Sequence, residues 1–313
     1  MISPHLLGGH ADEGHRIGEL WWLMFGLAAA VYVIVAAFVI IALLRGRHRD
    51  RGARPDLAPA RSDSGFIWIG GVIVPVLILS LLGVVTVTTT AGLREPKPDA
   101  VHIHVTGQRW WWDVQYTDAH VRTANEVRIP VGQPIDLTLT SDNVIHSFWV
   151  PDLAGKVDMI PGQTNHLRFT ANRVGTYRGQ CAEFCGLAHA QMAFVVVVES
   201  PADYGRWLAR RASGAGTQPE SDATEEGQRL FDRQSCAGCH TIAGTAAHGD
   251  IGPDLSDFGG RGWIAALTVP NTKAELRRWI TDPQSIKPGN LMPPTPLSPQ
   301  ELDEIVAYLE SLR

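Results

Sequence analysis

The stretch Cys181-Ala-Glu183-Phe-Cys185-Gly-Leu-Ala-His189-Ala-Gln-Met192-Ala-Phe194-Val-Val-Val-Val198 sets a donor-rich loop directly against an apolar run. Phe194 to Val198 is aromatic and β-branched and too short for a helix, so it reads as a buried strand. Two thiols, an imidazole and a thioether in one loop are soft donors, which favour copper over hard cations. Zinc could use the cysteines and the histidine, but a methionine is not a usual zinc ligand. A mononuclear blue copper site needs only one cysteine. The second, four residues on, points to two sulfurs bridging two metals. A second metal needs another imidazole, and His146 in Asn143-Val-Ile-His146-Ser-Phe-Trp149-Val-Pro151 is the candidate. A lone histidine on a sheet is more often structural, so His146 does not stand as a ligand on its own pattern.

Upstream of that loop the period is two. Val101, Ile103 and Val105 alternate with polar residues, as do Ile135, Leu137 and Leu139. Pro130-Val-Gly132, Pro161-Gly162 and Gly175 punctuate these runs. The pattern predicts an antiparallel β-sandwich over 96–205.

Further upstream, Leu20 to Leu44 and about Phe66 to Val87 are uncharged apolar runs. Each matches the ~20 residues a helix needs to cross a hydrocarbon core. Arg45, Arg47, Arg49, Arg51, Arg54 and Arg61 lie between them, and short arginine-rich loops stay in the cytoplasm. Residues 1–95 are thus expected to form a two-pass hairpin, with helices about 20–44 and 66–88 and a cytoplasmic loop 45–65. Both termini, and everything after Thr90, are expected outside. Trp21, Trp22 and Trp68 lie near the span ends, where amphipathic rings prefer the interface. The first run is too long for a simple cleaved signal. The fragment before Ile17, with His5, His10 and His15, carries no pattern and reads as flexible.

Downstream, 206–223 reads as a linker, its Ala212 to Thr224 part rich in Ser, Gly, Ala, Thr and acid. Glu225 to Gln234 and Lys273 to Thr281 read as helices, and a last helix puts Leu302, Ile305, Val306 and Leu309 on one face. Residues 224–313 therefore form a small helical domain. Within it, Cys236-Ala-Gly-Cys239-His240 is the c-type haem attachment signature. Its thiols add across the haem vinyl groups, and the adjacent histidine is placed to ligate iron. Met292, in Asn290-Leu-Met292-Pro-Pro294, is the one methionine after that signature. It can be core filler, or it can aim sulfur at the iron, since His/Met ligation raises the potential. His248 is a rival, too close in sequence to His240 to cross the haem plane easily.

The four cysteines fall in two close pairs, each followed by a histidine, which favours metal and haem over disulfide staples. Net charge is −5 and the sequence pI about 6.2, with no basic stripe in the soluble part, so nucleic acid is not an expected partner. His102 and His104 share a strand face and read as solvated.

His146-Ser-Phe-Trp-Val-Pro151, Lys156-Val-Asp158-Met-Ile-Pro161-Gly162 and Gly179-Gln-Cys181 through Met192 together resemble the cytochrome c oxidase subunit II family over roughly 15–200. Residues 222–313 resemble class I cytochrome c. The resemblance implies a two-helix transmembrane hairpin, an all-β cupredoxin-like Greek-key sandwich and an all-α cytochrome c domain. It implies a dinuclear copper centre bridged by Cys181 and Cys185. His146 and Met192 complete one copper, and His189 and the backbone carbonyl of Glu183 the other. The Glu183 carboxylate matches a position that reaches magnesium at the interface with subunit I. The haem c would be held covalently by Cys236 and Cys239 and axially by His240 and Met292, with the Pro253 carbonyl supporting His240.

Gly107-Gln-Arg-Trp110-Trp111-Trp112-Asp113 matches the family's aromatic segment and puts Trp110 at the electron-entry position. Core packing is the other reading for at least one of these rings. The implied role is electron transfer, from a cytochrome or respiratory-complex donor through haem c and copper to subunit I, where oxygen is reduced. Subunits I and III and the lipid bilayer are the implied partners, in a bacterial plasma membrane. No oxygen-binding site lies in this chain, and no catalytic residue is assigned to it. One departure stands out: the family's Glu before the second span is missing, Trp68 lies near its place, and Asp63 is the nearest acid. That puts a proton path through this chain in doubt. A copper-delivery protein would need neither haem nor His146. A nitrous oxide reductase would need a second copper domain, and quinol oxidase subunits have lost the copper ligands.

Overall fold

The computed structural model describes residues 9–47, 63–214 and 221–313. Helix α1 spans Asp12–Arg47, followed by α2 (Asp63–Trp68), a π-helical turn over Ile69–Ile73 and α3 (Val74–Arg94). Both apolar helices are long enough to cross a bilayer, and their apolar side chains are exposed. Such surfaces are stable only in lipid or against other apolar helices. They run longer than the 20–44 and 66–88 expected, because the polar flanking turns stay helical. Of the arginine-rich loop, Arg49, Arg51, Arg54 and Arg61 lie outside the described residues, as does His5.

The β-rich region is a two-layer sandwich, built from β1 (Val101–Gln108), β2 (Trp111–Tyr116), β3 (Val121–Ala124), β4 (Glu126–Pro130), β5 (Pro134–Ser141), β6 (His146–Val150), β7 (Ala154–Met159), β8 (Asn165–Thr170), β9 (Gly175–Cys181) and β10 (Ala193–Glu199). One sheet runs β3-β2-β1-β5-β8 and the other β4-β10-β9-β6-β7. The expectation of a wholly antiparallel sandwich is corrected: β1 pairs parallel with β5, and β4 parallel with β10. Both pairs are joined by long excursions through other strands, the condition under which neighbours can run the same way. Ile103, Val105, Ile135, Leu137 and Leu139 are buried as their alternation requires. At the centre Phe148 stacks on Phe194 at 4.3 Å, and Trp112 packs edge-on to Phe194 at 4.9 Å. Gly179 is needed there, because a Cβ at its position would stand 2.3 Å from the Phe194 ring.

Two segments expected to be loose are not. Gly9 to Asp12 is stitched to the sandwich: Ala11 bridges Ala171, the Asn172 amide donates to the His10 carbonyl at 2.8 Å, and the Thr170 amide donates to the Asp12 carboxylate at 2.7 Å. The linker expected from 206 begins later, since α4 spans Pro201–Ala212. Ser200 caps it, Pro201 opens its first turn, and Tyr204, Trp207 and Arg211 are buried at helical spacing. The Trp207 ring meets Tyr116 at 5.1 Å. Residues 215–220 lie outside the described residues.

The C-terminal domain consists of α5 (Asp222–Arg233), α6 (Cys236–Cys239), α7 (Lys273–Thr281), α8 (Pro283–Ile286) and α9 (Pro299–Ser311). Capping boxes at Ser221 and Ser298 start its two longest helices. Leu302, Ile305, Val306 and Leu309 are buried against Leu230, Phe231, Leu276 and Ile280. Helices α5 and α9 cross so closely that a Cβ on Gly227 would stand 2.2 Å from the Glu304 carbonyl oxygen.

Candidate metal centres

The β9–β10 loop and the start of β6 converge on one buried cluster. Cys181 ends β9, so its position is fixed by the sheet, and His146 opens β6 beside it. His146 Nδ1 lies 3.8 Å from Cys181 Sγ. The two sulfurs are 3.8 Å apart, well beyond a disulfide bond of ~2.05 Å. His189 Nδ1 lies 3.5 Å from Cys185 Sγ, and Met192 Sδ lies 3.8 Å from the same sulfur. The carbonyl oxygen of Glu183 lies 3.2 Å from Cys181 Sγ. His146, Cys181, Cys185 and Met192 are all buried. The Cys185 thiol, hydrogen-bonded to Cys181, pulls the Cys181 pKa down to about 4, while that same partner and burial push Cys185 up. Soft donors packed this closely around two sulfurs suit a thiophilic metal.

Surrounding groups orient the imidazoles. His146 Nε2 lies 3.2 Å from Asn143 Oδ1, which leaves Nδ1 for the sulfurs. The ring also packs against Gly107, where a Cβ would stand 2.7 Å from His146 Cδ2. The Glu183 carboxylate is half-exposed, with Lys156 Nζ 3.9 Å from it and 3.9 Å from Asp158.

In the helical domain Cys236, Cys239, His240 and Met292 line one cavity, walled by apolar side chains that include Trp279 and Leu276. His240 Nδ1 donates to the Pro253 carbonyl at 2.8 Å, leaving Nε2 free. Burial pushes the His240 pKa down, which keeps the ring neutral and able to act as a donor ligand. Gly252 makes room for that ring, since a Cβ would stand 2.6 Å from its Cε1. Exposed His248 pairs its main chain with Thr241 and does not line the cavity.

Trp110 belongs to both surroundings. Its Nε1 donates to the Cys185 carbonyl at 2.9 Å, and its ring also lines the cavity that holds His240 and Met292. Trp112, two residues on, is fully buried in the sandwich core, and Trp110 packs at its edge.

The two domains meet through polar groups that the sequence reading did not single out. The Arg211 guanidinium donates to the Arg122 carbonyl at 2.8 Å and faces Asp254 at 3.4 Å. Arg261 is paired with Asp257 and donates to Thr123 at 3.1 Å. Burial opposes the Asp257 carboxylate, but Arg261 and Arg211 hold its pKa below the ordinary value. Lys287 Nζ, buried at 3 % exposure, donates to the carbonyls of Trp110, Gln191 and Ala265. Burial pushes its pKa down to about 7. Isolated charges in mixed sequence gave no signal of this.

Residues 118–200 match the model for the cytochrome c oxidase subunit II periplasmic domain, and 224–313 the model for cytochrome c. Cytochrome c oxidase subunit 2 of Alkalihalophilus pseudofirmus is 32% identical over 298 residues, covering 93% of this chain and 86% of the relative. This chain belongs to the cytochrome c oxidase subunit 2 family. The Bacillus subtilis cytochrome c oxidase subunit 2 is 29% identical across 98% of the chain and 90% of its own length. The crystal structure of the periplasmic domain of subunit II from Bradyrhizobium japonicum is 30% identical, with a TM-score of 0.36, covering 38% of this chain and 96% of its own. As a subunit 2 with a cytochrome c domain, the chain is part of a haem–copper oxidase complex, and the family implies copper and a c-type haem. With its two apolar helices, this subunit 2 is a membrane-anchored protein with an extracytoplasmic domain.

Proposed function

We propose that this chain is the electron-entry subunit of a bacterial haem–copper oxidase, taking electrons from a cytochrome or respiratory-complex donor and delivering them to subunit I for reduction of oxygen to water. The observation that carries this reading is Trp110, one side chain that touches the Cys185 carbonyl and also lines the cavity of His240 and Met292. Bound in these sites, haem c and a copper pair supply one-electron redox chemistry.

The residues' parts are those that the family resemblance implies. Cys236 and Cys239 would anchor the haem covalently, and His240 and Met292 would present nitrogen and sulfur to its iron. Pro253 holds the His240 ring in one tautomer. Cys181 and Cys185 would be the shared thiolate donors of a copper pair, and His146, Met192, His189 and the Glu183 carbonyl would complete its ligand set. By the same resemblance, the Glu183 carboxylate would contribute to a magnesium site with subunit I. Burial of Cys181, Cys185, His146 and Met192 supports a resident metal over a delivery site, which exchanges metal through exposed ligands.

The chain would sit in the plasma membrane with both termini outside and with subunits I and III as neighbours. Its parts would be a hairpin at 1–95, a copper domain from 96 that now extends through α4, a linker after Ala212, and a cytochrome domain ending at 313. Electron paramagnetic resonance with metal analysis on the purified oxidase tests the reading. It predicts a mixed-valence signal from two coppers and one covalent haem in this subunit. An ordinary four-line spectrum from one copper would overturn it.

A further inference from the structure

We propose that Lys287 is a positioning residue for electron transfer within this chain, its ammonium locking the copper-binding loops to the haem-bearing domain. The idea rests on the function proposed above and adds a residue that neither metal set includes.

The geometry is specific. An ammonium carries three N–H donors. Lys287 Nζ finds three main-chain acceptors, Trp110 at 2.6 Å, Gln191 at 2.8 Å and Ala265 at 3.0 Å. Two lie in the sandwich and one in the helical domain. Gln191 immediately precedes the candidate copper ligand Met192. On the other side the Lys287 carbonyl accepts from Asn290 Nδ2 at 2.6 Å, and Asn290 Oδ1 accepts the Met292 amide at 2.9 Å. One lysine thereby links the loops that carry both candidate methionine ligands, and holds the main chain of the tryptophan between them.

Two further features show that the junction is built around this contact. Gln191 Nε2 donates to the Ile286 carbonyl at 2.8 Å, the residue before the lysine. Ala265, Ala266 and Leu267 all have left-handed backbones, with φ of 53°, 57° and 62°. Non-glycine residues hold that conformation only where their surroundings fix it. Here it aims the Ala265 carbonyl at Lys287 and the Ala266 carbonyl at the Ala193 amide, 3.2 Å away. A buried amino group with every donor used is also a strong constraint, because breaking any of these bonds leaves a desolvated polar group without its partner.

The test uses the whole oxidase with Lys287→Met, which removes every donor, and Lys287→Gln, which keeps two. Electrons are injected into the c haem by a photoexcited ruthenium complex, and haem reoxidation is followed against copper reduction. Midpoint potentials of both centres are measured so that the change in driving force can be subtracted. With absorption and paramagnetic spectra of both centres intact, internal transfer should slow by about tenfold or more in the methionine variant, the scale of losses when positioning is loosened, and by less in the glutamine variant. If the methionine variant loses a centre, the glutamine variant decides alone. Slowing that is fully explained by driving force, or no slowing, overturns the role of Lys287. Absence of haem-to-copper transfer in the unaltered oxidase would instead overturn the proposed function.

Discussion

Asn143 Oδ1 stands 3.2 Å from His146 Nε2, so the ring nitrogen facing Cys181 is Nδ1. The same histidine rests on Gly107 from the other side. A ligand that was ambiguous by pattern is therefore held in one orientation by a residue three positions earlier and by a glycine on another strand.

Asn143→Ala removes the group that fixes this ring. Outer partners of this kind are worth about 10–100-fold in metal affinity. Copper retained per chain after dialysis against a graded chelator should fall by that order, while the haem spectrum stays unchanged. Equal retention would remove Asn143 from the site.

Gly107→Ala places a methyl group 2.7 Å from His146 Cδ2. Overpacking of this kind costs roughly 1–3 kcal/mol, and here the atom displaced belongs to a candidate ligand. Thermal unfolding should shift down, with an altered paramagnetic spectrum from the copper site. A lowered melting point with an unaltered spectrum would mean that strand β1 yields rather than the ring.

Gly252→Ala acts on the other centre in the same way, its Cβ falling 2.6 Å from His240 Cε1. Covalent haem should still form, because Cys236 and Cys239 are untouched. The iron should show weakened histidine ligation in its low-temperature paramagnetic spectrum, and the copper signal should not move.

Asp257→Asn tests the buried charges between the domains. Removing one partner of a buried pair costs about 3–5 kcal/mol, because it leaves Arg261 without its carboxylate. Unfolding of the haem-bearing domain near neutral pH should require correspondingly less denaturant. The sign with pH follows from the depressed pKa of Asp257. Its stabilisation is present above the unfolded carboxylate value near 3.9 and is lost as pH falls through the lower folded value. The gap between the parent protein and the variant should therefore close only in strong acid. Asp254, which burial pushes up, titrates in the opposite sense and is common to both proteins.

That the donors of the Cys181 loop come together was legible because they sit at fixed spacing around one strand end, so the sheet that places Cys181 places its neighbours too. The gathering of Cys236, Cys239, His240 and Met292 around one cavity was legible for a similar reason, a local pentapeptide plus one methionine. Lys287 was not, because its partners are carbonyls, and main-chain acceptors have no residue identity to read. Gly9 to Asp12 escaped notice because a two-residue pairing with a distant strand carries no period. Helix α4 could have been found: Ser200-Pro201 is a start signal, and Tyr204, Trp207 and Arg211 repeat at helical spacing. The parallel pairings could not, since alternation is the same in either direction.

Helix α4 also sets a leash. It is packed down as far as Ala212, and α5 begins at Asp222, so only the chain from Ser213 to Ser221 joins the two domains. Fully extended, that chain reaches roughly 30 Å. A haem domain that came loose would stay within its own diameter or so of the copper site, at an effective concentration on the order of millimolar. Redocking would then be a unimolecular event, indifferent to how dilute the oxidase is. Only the arrival of electrons from the external donor would depend on concentration and salt.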